Sequence, residues 1–374
     1  VVARQTARQE WMHPKILAVI PSALSLLTNA TALAAERRDA QDASDTLTTN
    51  LTLEFQIDVG ADDVTDTFGK AETASELRLS PNLSFELGLV FESLAPGTAD
   101  REHIFDGHGL IVEQAFLSYS RDAVDIFAGK FNPSFGFAWS EMPGIYGDGF
   151  AKDYEFVEAL GAGVRFRLGE GGFDGHPLPG QHDVTMAVYR SDTTPASGSL
   201  FYSRGRARLS DGGAANTEGL SSVAVAWEGK DLSPFDLDYN IGLSYRAGGR
   251  GASHDEFALV AGVLGSEALS RDLDLRVVAE MAHFWNAEAQ RQDRRNTSLG
   301  ATFTFDEAWH IVVAYAGRTV IPHNGSATTD HLLEVSGGYR FESGLGLDLG
   351  YAARRSEAVW TGRAGLLVSW SADF

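Results

Sequence analysis

The chain has no cysteine, so neither a disulfide framework nor a thiolate metal site is open to it. Long apolar runs are missing too. Beyond residue 35 no stretch offers the roughly 20 consecutive apolar residues that a membrane-spanning helix requires, and 40 glycines with 44% hydrophobic residues fit no helical membrane protein. Positive charge is scarce: 30 Lys and Arg stand against 51 Asp and Glu, a formal net charge of −21, which argues against nucleic acid or another polyanion as partner. Neither a Gly-x-Ser-x-Gly nucleophile elbow nor a P-loop occurs.

What the chain does have is alternation. In Leu51, Leu53, Phe55, Ile57 and Val59 every odd position is apolar, with Thr52, Glu54, Gln56 and Asp58 between them. The rule repeats in Leu83, Phe85, Leu87, Leu89 and Phe91, and again around residues 237–245, 273–281, 299–305 and 345–353. None of these apolar positions carries a charge. A slip of one residue would turn Glu54, Asp58, Asp274, Arg276 and Glu280 outward, at about 2 to 4 kcal/mol for a cation facing mid-bilayer, so register is strongly specified. Sixteen such segments can be counted between residues 49 and 374. Tight links such as Ser80-Pro81-Asn82, Ser120-Arg121-Asp122 and Glu342-Ser343-Gly344 alternate with long ones, as in a membrane barrel with short turns on one side; residues 169–180 break this rhythm. A soluble β-sandwich is the alternative, but it would need a shared internal core and no such rhythm. Aromatics near strand ends, including Trp227, Trp285, Trp309 and Tyr339, suit interfacial girdles. The fold expected is all-β: a transmembrane antiparallel β-barrel of sixteen strands, with a long loop between the fifth and sixth folded inward.

The N-terminus reads as a secretory signal over residues 1–34. Lys15 precedes the apolar run ILAVIPSALSLL, and Ala32-Leu33-Ala34 offers a small-x-small cleavage site. Pro21 and the polar Thr28-Asn29 disfavour a permanent anchor, and residues 1–11, ahead of Met12, read as an upstream extension. Removing 1–34 takes away Arg4, Arg8 and Lys15 against Glu10 and deepens the negative balance. Residues 35–48 are then a periplasmic segment and 49–374 the barrel.

Two resemblances follow from short stretches. Ala364, Leu366, Val368, Trp370, Ala372 and Phe374 form an alternating row ending on a terminal aromatic, which resembles the last strand of bacterial outer-membrane proteins. That resemblance implies Phe374 as a signal read by the barrel-assembly machinery, with outer-membrane lipids and lipopolysaccharide as surroundings. Gly129-Lys130-Phe131-Asn132-Pro133-Ser134-Phe135-Gly136 is similar to the segment entering the large loop of bacterial porins of the phosphate-selective and siderophore-porin type. It implies a porin superfamily member, generally a homotrimer when sixteen-stranded. The negative net charge departs from what a phosphate-selective pore would want.

The loop itself, residues 130–155, is too rich in aromatics (Trp139, Tyr146, Phe150, Tyr154) to stay in water and should occupy the lumen. Its Glu141, Asp148, Lys152, Asp153 and Glu155, opposed by Arg165 and Arg167 on the strand leaving it, are the expected constriction residues. Inward parity places Glu54, Asp58, Glu76, Arg78, Glu86, Asp238, Arg246, Asp274, Arg276, Glu280, Glu334, Arg340, Asp348, Arg354 and Arg363 along the lumen, where most pair with neighbours. His103 and His108 share a loop with Glu102 and Asp106, but a solvated loop explains them as well as a cation would, and no metal or cofactor is expected. His283, roughly across a hairpin from Thr297, gives an outer-membrane lipid hydrolase little geometric support. The function expected is a non-enzymatic passive channel for small hydrophilic solutes or ions with a modest cation preference. A substrate-specific porin for a ferric siderophore or another nutrient is the alternative within transport.

Overall fold

The computed structural model describes residues 46–60, 64–95, 102–168, 180–232 and 236–374. The signal sequence expected over 1–34, nearly all of the 35–48 segment and the irregular link at 169–180 lie outside them, save Thr46, Leu47, Thr48 and Gly180. In chain order the strands are β1 (Leu47–Gly60), β2 (Thr65–Ser80), β3 (Leu83–Ser93), β4 (His103–Ile104), β5 (His108–Arg121), β6 (Val124–Phe131), β7 (Ala159–Arg167), β8 (Gln181–Ser191), β9 (Ser199–Phe201) and β10 (Ser222–Leu232). They continue as β11 (Leu237–Arg246), β12 (Glu256–Ser270), β13 (Leu273–Trp285), β14 (Gln292–Phe305), β15 (Trp309–Pro322), β16 (Thr328–Arg340), β17 (Leu345–Ser356) and β18 (Val359–Asp373). Leaving out the two short strands β4 and β9, sixteen strands pair antiparallel with their neighbours. β18 then returns to β1, Leu53 opposite Trp370 and Asp58 opposite Gly365, so the sheet closes on itself. The terminal residue completes the seam, Phe374 and Thr49 exchanging both backbone hydrogen bonds at 2.8 and 3.0 Å.

Closure follows from alternation. Side chains of one parity must all face one way, and an open sheet with this pattern would leave edges unpaired; only a closed barrel satisfies every strand in lipid. The outer surface carries Leu243, Met281, Val335 and Leu349, all more than half exposed, while the adjoining Val260, Val278 and Glu334 are at most 1% exposed inside. Two-residue turns join β2 to β3, β5 to β6 and β12 to β13 at one end. At the other end, 27 residues separate β6 from β7 and 30 separate β8 from β10 only because those segments fold onto the barrel. One link at that end is tight: Glu357-Ala358 turns β17 into β18 with both residues at positive φ (50° and 67°).

Where β6 stops at Phe131, the upper part of β5 loses its partner, and β9 takes its place by pairing with Gly109–Ile111. On the other flank β4 pairs parallel with Asp66 and Thr67 of β2. These short additions patch the wall where the long inner loop leaves it.

Candidate pore constriction

The inner wall from β11 round to β18 is lined by small side chains at successive inward positions: Gly242, Ala258, Gly262, Ala282, Gly300, Ala314, Gly350 and Gly365. Loop residues 132–158 lie in this track. Phe135 sits against Gly242, Phe137 against Gly262, Pro143 against Gly300 and Ile145 against Gly350. Phe135, Met142, Tyr154 and Phe156 join Val260, Val278, Phe284 and Val312 of the wall in one buried cluster, Phe135 stacking on Phe156 with ring centroids 4.5 Å apart. Burying an aromatic of this size contributes about 1.5 to 3 kcal/mol, so the cluster alone fixes the loop's depth.

Three wall carboxylates fix its path. Glu280 on β13 accepts the backbone N–H groups of Phe137 (2.7 Å) and Ala138 (3.1 Å), which open a single helical turn at Ala138–Glu141, and the Tyr154 hydroxyl (2.5 Å). Glu334 on β16 accepts Ile145 N–H at 2.6 Å and Tyr146 N–H at 2.9 Å. Asp58 on β1 accepts the Tyr146 hydroxyl at 2.6 Å. Burial foremost, and then the adjoining carboxylates, push both phenols well above their usual range, so each remains a donor. The chain meets the first two carboxylates through Gly136 (φ +71°) and Gly144 (φ +99°); a Cβ on Gly136 would lie 2.8 Å from Glu280 Oε1. Between these anchors the Gly136 N–H reaches Asn240 Oδ1 (3.2 Å), and Asn296 Nδ2 donates to the Phe150 carbonyl (2.9 Å). The loop therefore crosses the lumen from β11 to β1.

The root of the loop is tied as firmly. Lys130, 4% exposed, binds Glu158 Oε2 at 2.8 Å, Asp192 Oδ2 at 3.1 Å and the Ala196 carbonyl at 2.9 Å. Asn132 donates to Glu113 and accepts the Glu158 N–H, and Arg204 reaches Glu158 at 2.5 Å. The Gly-Lys-Phe-Asn stretch is thus a structural knot joining both ends of the loop to the segment after β8.

The expected constriction residues separate into three groups. Glu141 is held by Arg276 and Asp153 by Arg318 (2.7 Å), both arginines projecting from the wall. Arg354, with Arg318, lies over the Phe150 ring at 5.0 Å, and Arg363 binds Asp58 at 3.2 Å. Asp148, Lys152 and Glu155 face open space instead. Arg165 and Arg167 do not meet the loop: seven- and nine-residue positions into β7 carry them toward the short-turn end, where Arg167 binds Asp125 (2.7 Å). A strand advances about 3.3 Å per residue, so leaving the loop on the same strand does not mean facing it. Glu76 and Arg78 (3.9 Å apart), Arg340 (to Ser369 Oγ, 3.2 Å) and Asp348 (to His310) also lie below the constriction.

The open space is a cavity of about 940 Å³ between the loop and the β1–β2–β3–β5 wall. Trp139, Asp148, Lys152 and Glu155 line it from the loop; Glu54, Lys70, Glu72, Glu92 and Glu113 line it from the wall, with Arg204 and Arg363 at its margins. Each of its Lys and Arg side chains is ion-paired: Lys70 to Glu72, Lys152 to Asp148 (2.7 Å), Arg204 to Glu158 and Arg363 to Asp58. Glu54, Glu92, Glu113 and Glu155 are left without a cationic partner among the described residues. Of these, Glu54 was readable from strand parity and Glu155 from the loop's composition. Lys70, Glu72 and Glu92 were readable by parity; Glu113 was not, because it is the extra residue of a bulge where Gly88 pairs with Gln114 and Leu89 with Val112.

The histidines take structural roles. His103 Nδ1 lies 3.0 Å from Asp66 Oδ1, His108 Nε2 bonds the backbone of Gly69, and no group of three metal-ligating side chains occurs among the described residues. His283 stands opposite Arg295 rather than Thr297, and Arg295 Nε donates to its Nδ1 at 3.2 Å.

No protein family model matches the chain, and no curated protein matches it. Solved structures do. OprB of Pseudomonas putida superposes with a TM-score of 0.61 at 10% identity over 87% of this chain and 94% of its own. The outer membrane channel DcaP of Acinetobacter baumannii gives 0.54 at 11% identity, covering 87% and 96%. OmpT, an outer membrane protein of Vibrio cholerae solved in a trimer form, gives 0.52 at 10% over 87% and 99%. The fold is that of outer-membrane channels. It spans nearly the whole length of each of these proteins, which agrees with the barrel and its apolar outer face.

Proposed function

We propose that the chain is an outer-membrane porin, a passive diffusion channel for small hydrophilic solutes and ions with a modest preference for cations. The cavity's charge balance carries this reading: its Lys and Arg side chains are all paired, while four carboxylates have no cationic partner among the described residues. In a narrow opening with low-dielectric walls, uncompensated carboxylates raise the local concentration of cations and repel anions. The preference is modest because the paired Lys70 and Lys152 also face the cavity. Anchoring of the loop at Glu280, Glu334 and Asp58 supports a fixed constriction rather than an external lid. A homotrimer is the assembly proposed, on the likeness to the trimeric Vibrio protein.

Planar-bilayer recording tests the proposal. Discrete, ohmic conductance steps with a reversal potential on the cation side of a KCl gradient are expected. Conductance that saturates with one ligand would favour a substrate-specific porin, and an anion-side reversal potential would contradict the reading.

A further inference from the structure

Glu155 and Glu113 line the same cavity from two different elements, one from the loop just after the turn at Lys152–Tyr154, the other from the bulge in β5. Neither has a cationic partner. Glu113 has a single neutral donor, Asn132 Nδ2, and the Glu155 carboxylate has no hydrogen bond or ion pair among the described residues. The surrounding groups are Lys70 and Glu72 on β2, Glu54 on β1, Glu92 on β3, and Lys152, Asp148 and Glu158 on the loop. Lys70 and Lys152 are taken by Glu72 and Asp148, and Glu158 is taken by Lys130 and Arg204, so no free cation stands between the two carboxylates.

We infer that the Glu113–Glu155 pair is a proton-sensitive determinant of the channel's ion selectivity. This rests on the cation-channel reading above and adds its regulation. Two carboxylates facing one space without a counter-ion disfavour simultaneous ionisation, and the one less supported by hydrogen bonds takes the proton first. Burial first, and then the Glu113 charge, with Lys152 and Lys70 opposing, push the Glu155 carboxyl up to about 7. Above that pH Glu155 is charged and cation preference is full. As pH falls through it Glu155 takes up a proton, the pair loses one charge, and preference declines while the pore stays open.

Reversal potentials of the full-length barrel in an approximately tenfold KCl gradient, taken between about pH 5.5 and pH 8.5, test this. In wild type the cation-to-anion permeability ratio should fall roughly two- to fourfold on acidification, with a midpoint near neutrality. E155Q should hold the low value across the range. E113Q should keep a pH response but shift its midpoint to lower pH, because the like charge that opposes Glu155 ionisation is gone. A wild-type ratio that is flat with pH, with cation preference intact, overturns the inference and leaves the channel reading standing. A midpoint that persists in E155Q overturns the assignment of the titrating group. Absence of cation preference at any pH overturns the channel's proposed selectivity and the pair's role with it.

Discussion

At the scale of single residues, the wall carboxylates do two different jobs that their sequence context does not distinguish. Glu280 and Glu54 both occupy inward positions flanked by apolar outward ones, yet Glu280 accepts three donors from the loop and Glu54 faces the cavity without a hydrogen bond among the described residues. The difference is set by where the loop lands. Parity gave the direction of each side chain but carried no information on which small residues, such as Gly262 and Gly300, would open a groove for Phe137 and Pro143. Glu280→Ala leaves two N–H groups and one hydroxyl without their acceptor, at about 1 to 3 kcal/mol for each donor that water does not recover. The loop should then move: single-channel noise and mean conductance should both rise, while Glu280→Gln, which keeps an acceptor, shows a smaller change. A quiet channel of unchanged conductance in Glu280→Ala would refute its anchoring role.

Among the elements, the loop and the segment after β8 depend on each other through Lys130. Its side chain is 5% exposed and that of Asp192 is fully buried, so removing the cation strands a buried charge. Lys130→Met should cost about 3 to 5 kcal/mol, the usual penalty for breaking a buried pair from one side. The urea midpoint of the folded, heat-modifiable form should fall, and protease should cut within residues 192–221 sooner; an unchanged midpoint and cleavage pattern would show the knot to be dispensable. The porin-like motif was readable as the entrance to a large loop. Its role as a knot was not, since Glu158, Asp192 and Arg204 lie 28 to 74 positions downstream and only the topology brings them to Lys130. The strands were legible because period two is a local property. The misplacement of Arg165 and Arg167 has the same root: adjacency along a strand says which face a residue is on, not at what height it sits.

For the whole molecule, the barrel's apolar outer face meets lipid, and the proposed selectivity belongs to one side of the lumen. Val335, 58% exposed at the middle of β16, should tolerate Leu; Val335→Arg should cost about 2 to 4 kcal/mol, read from urea unfolding out of lipid vesicles. No loss on introducing the arginine would place that face away from the hydrocarbon. Charges that line the cavity differ from charges paired to arginines of the wall outside it. Glu113 and Glu155 belong to the first set and Glu141 and Asp153 to the second, where Arg276 and Arg318 hold them.

Each of these two pairs is two carboxylates, so the variants E113Q/E155Q and E141Q/D153N change net charge equally and differ only in where the charge is lost. The decisive measurement is their reversal potential beside wild type in a KCl gradient near 0.1 M, where the Debye length of about 10 Å keeps distant charges from contributing fully. E113Q/E155Q should lose most of the cation preference at pH above neutrality, and E141Q/D153N should keep most of it. Equal shifts in the two variants, or a larger shift in E141Q/D153N, would contradict the account.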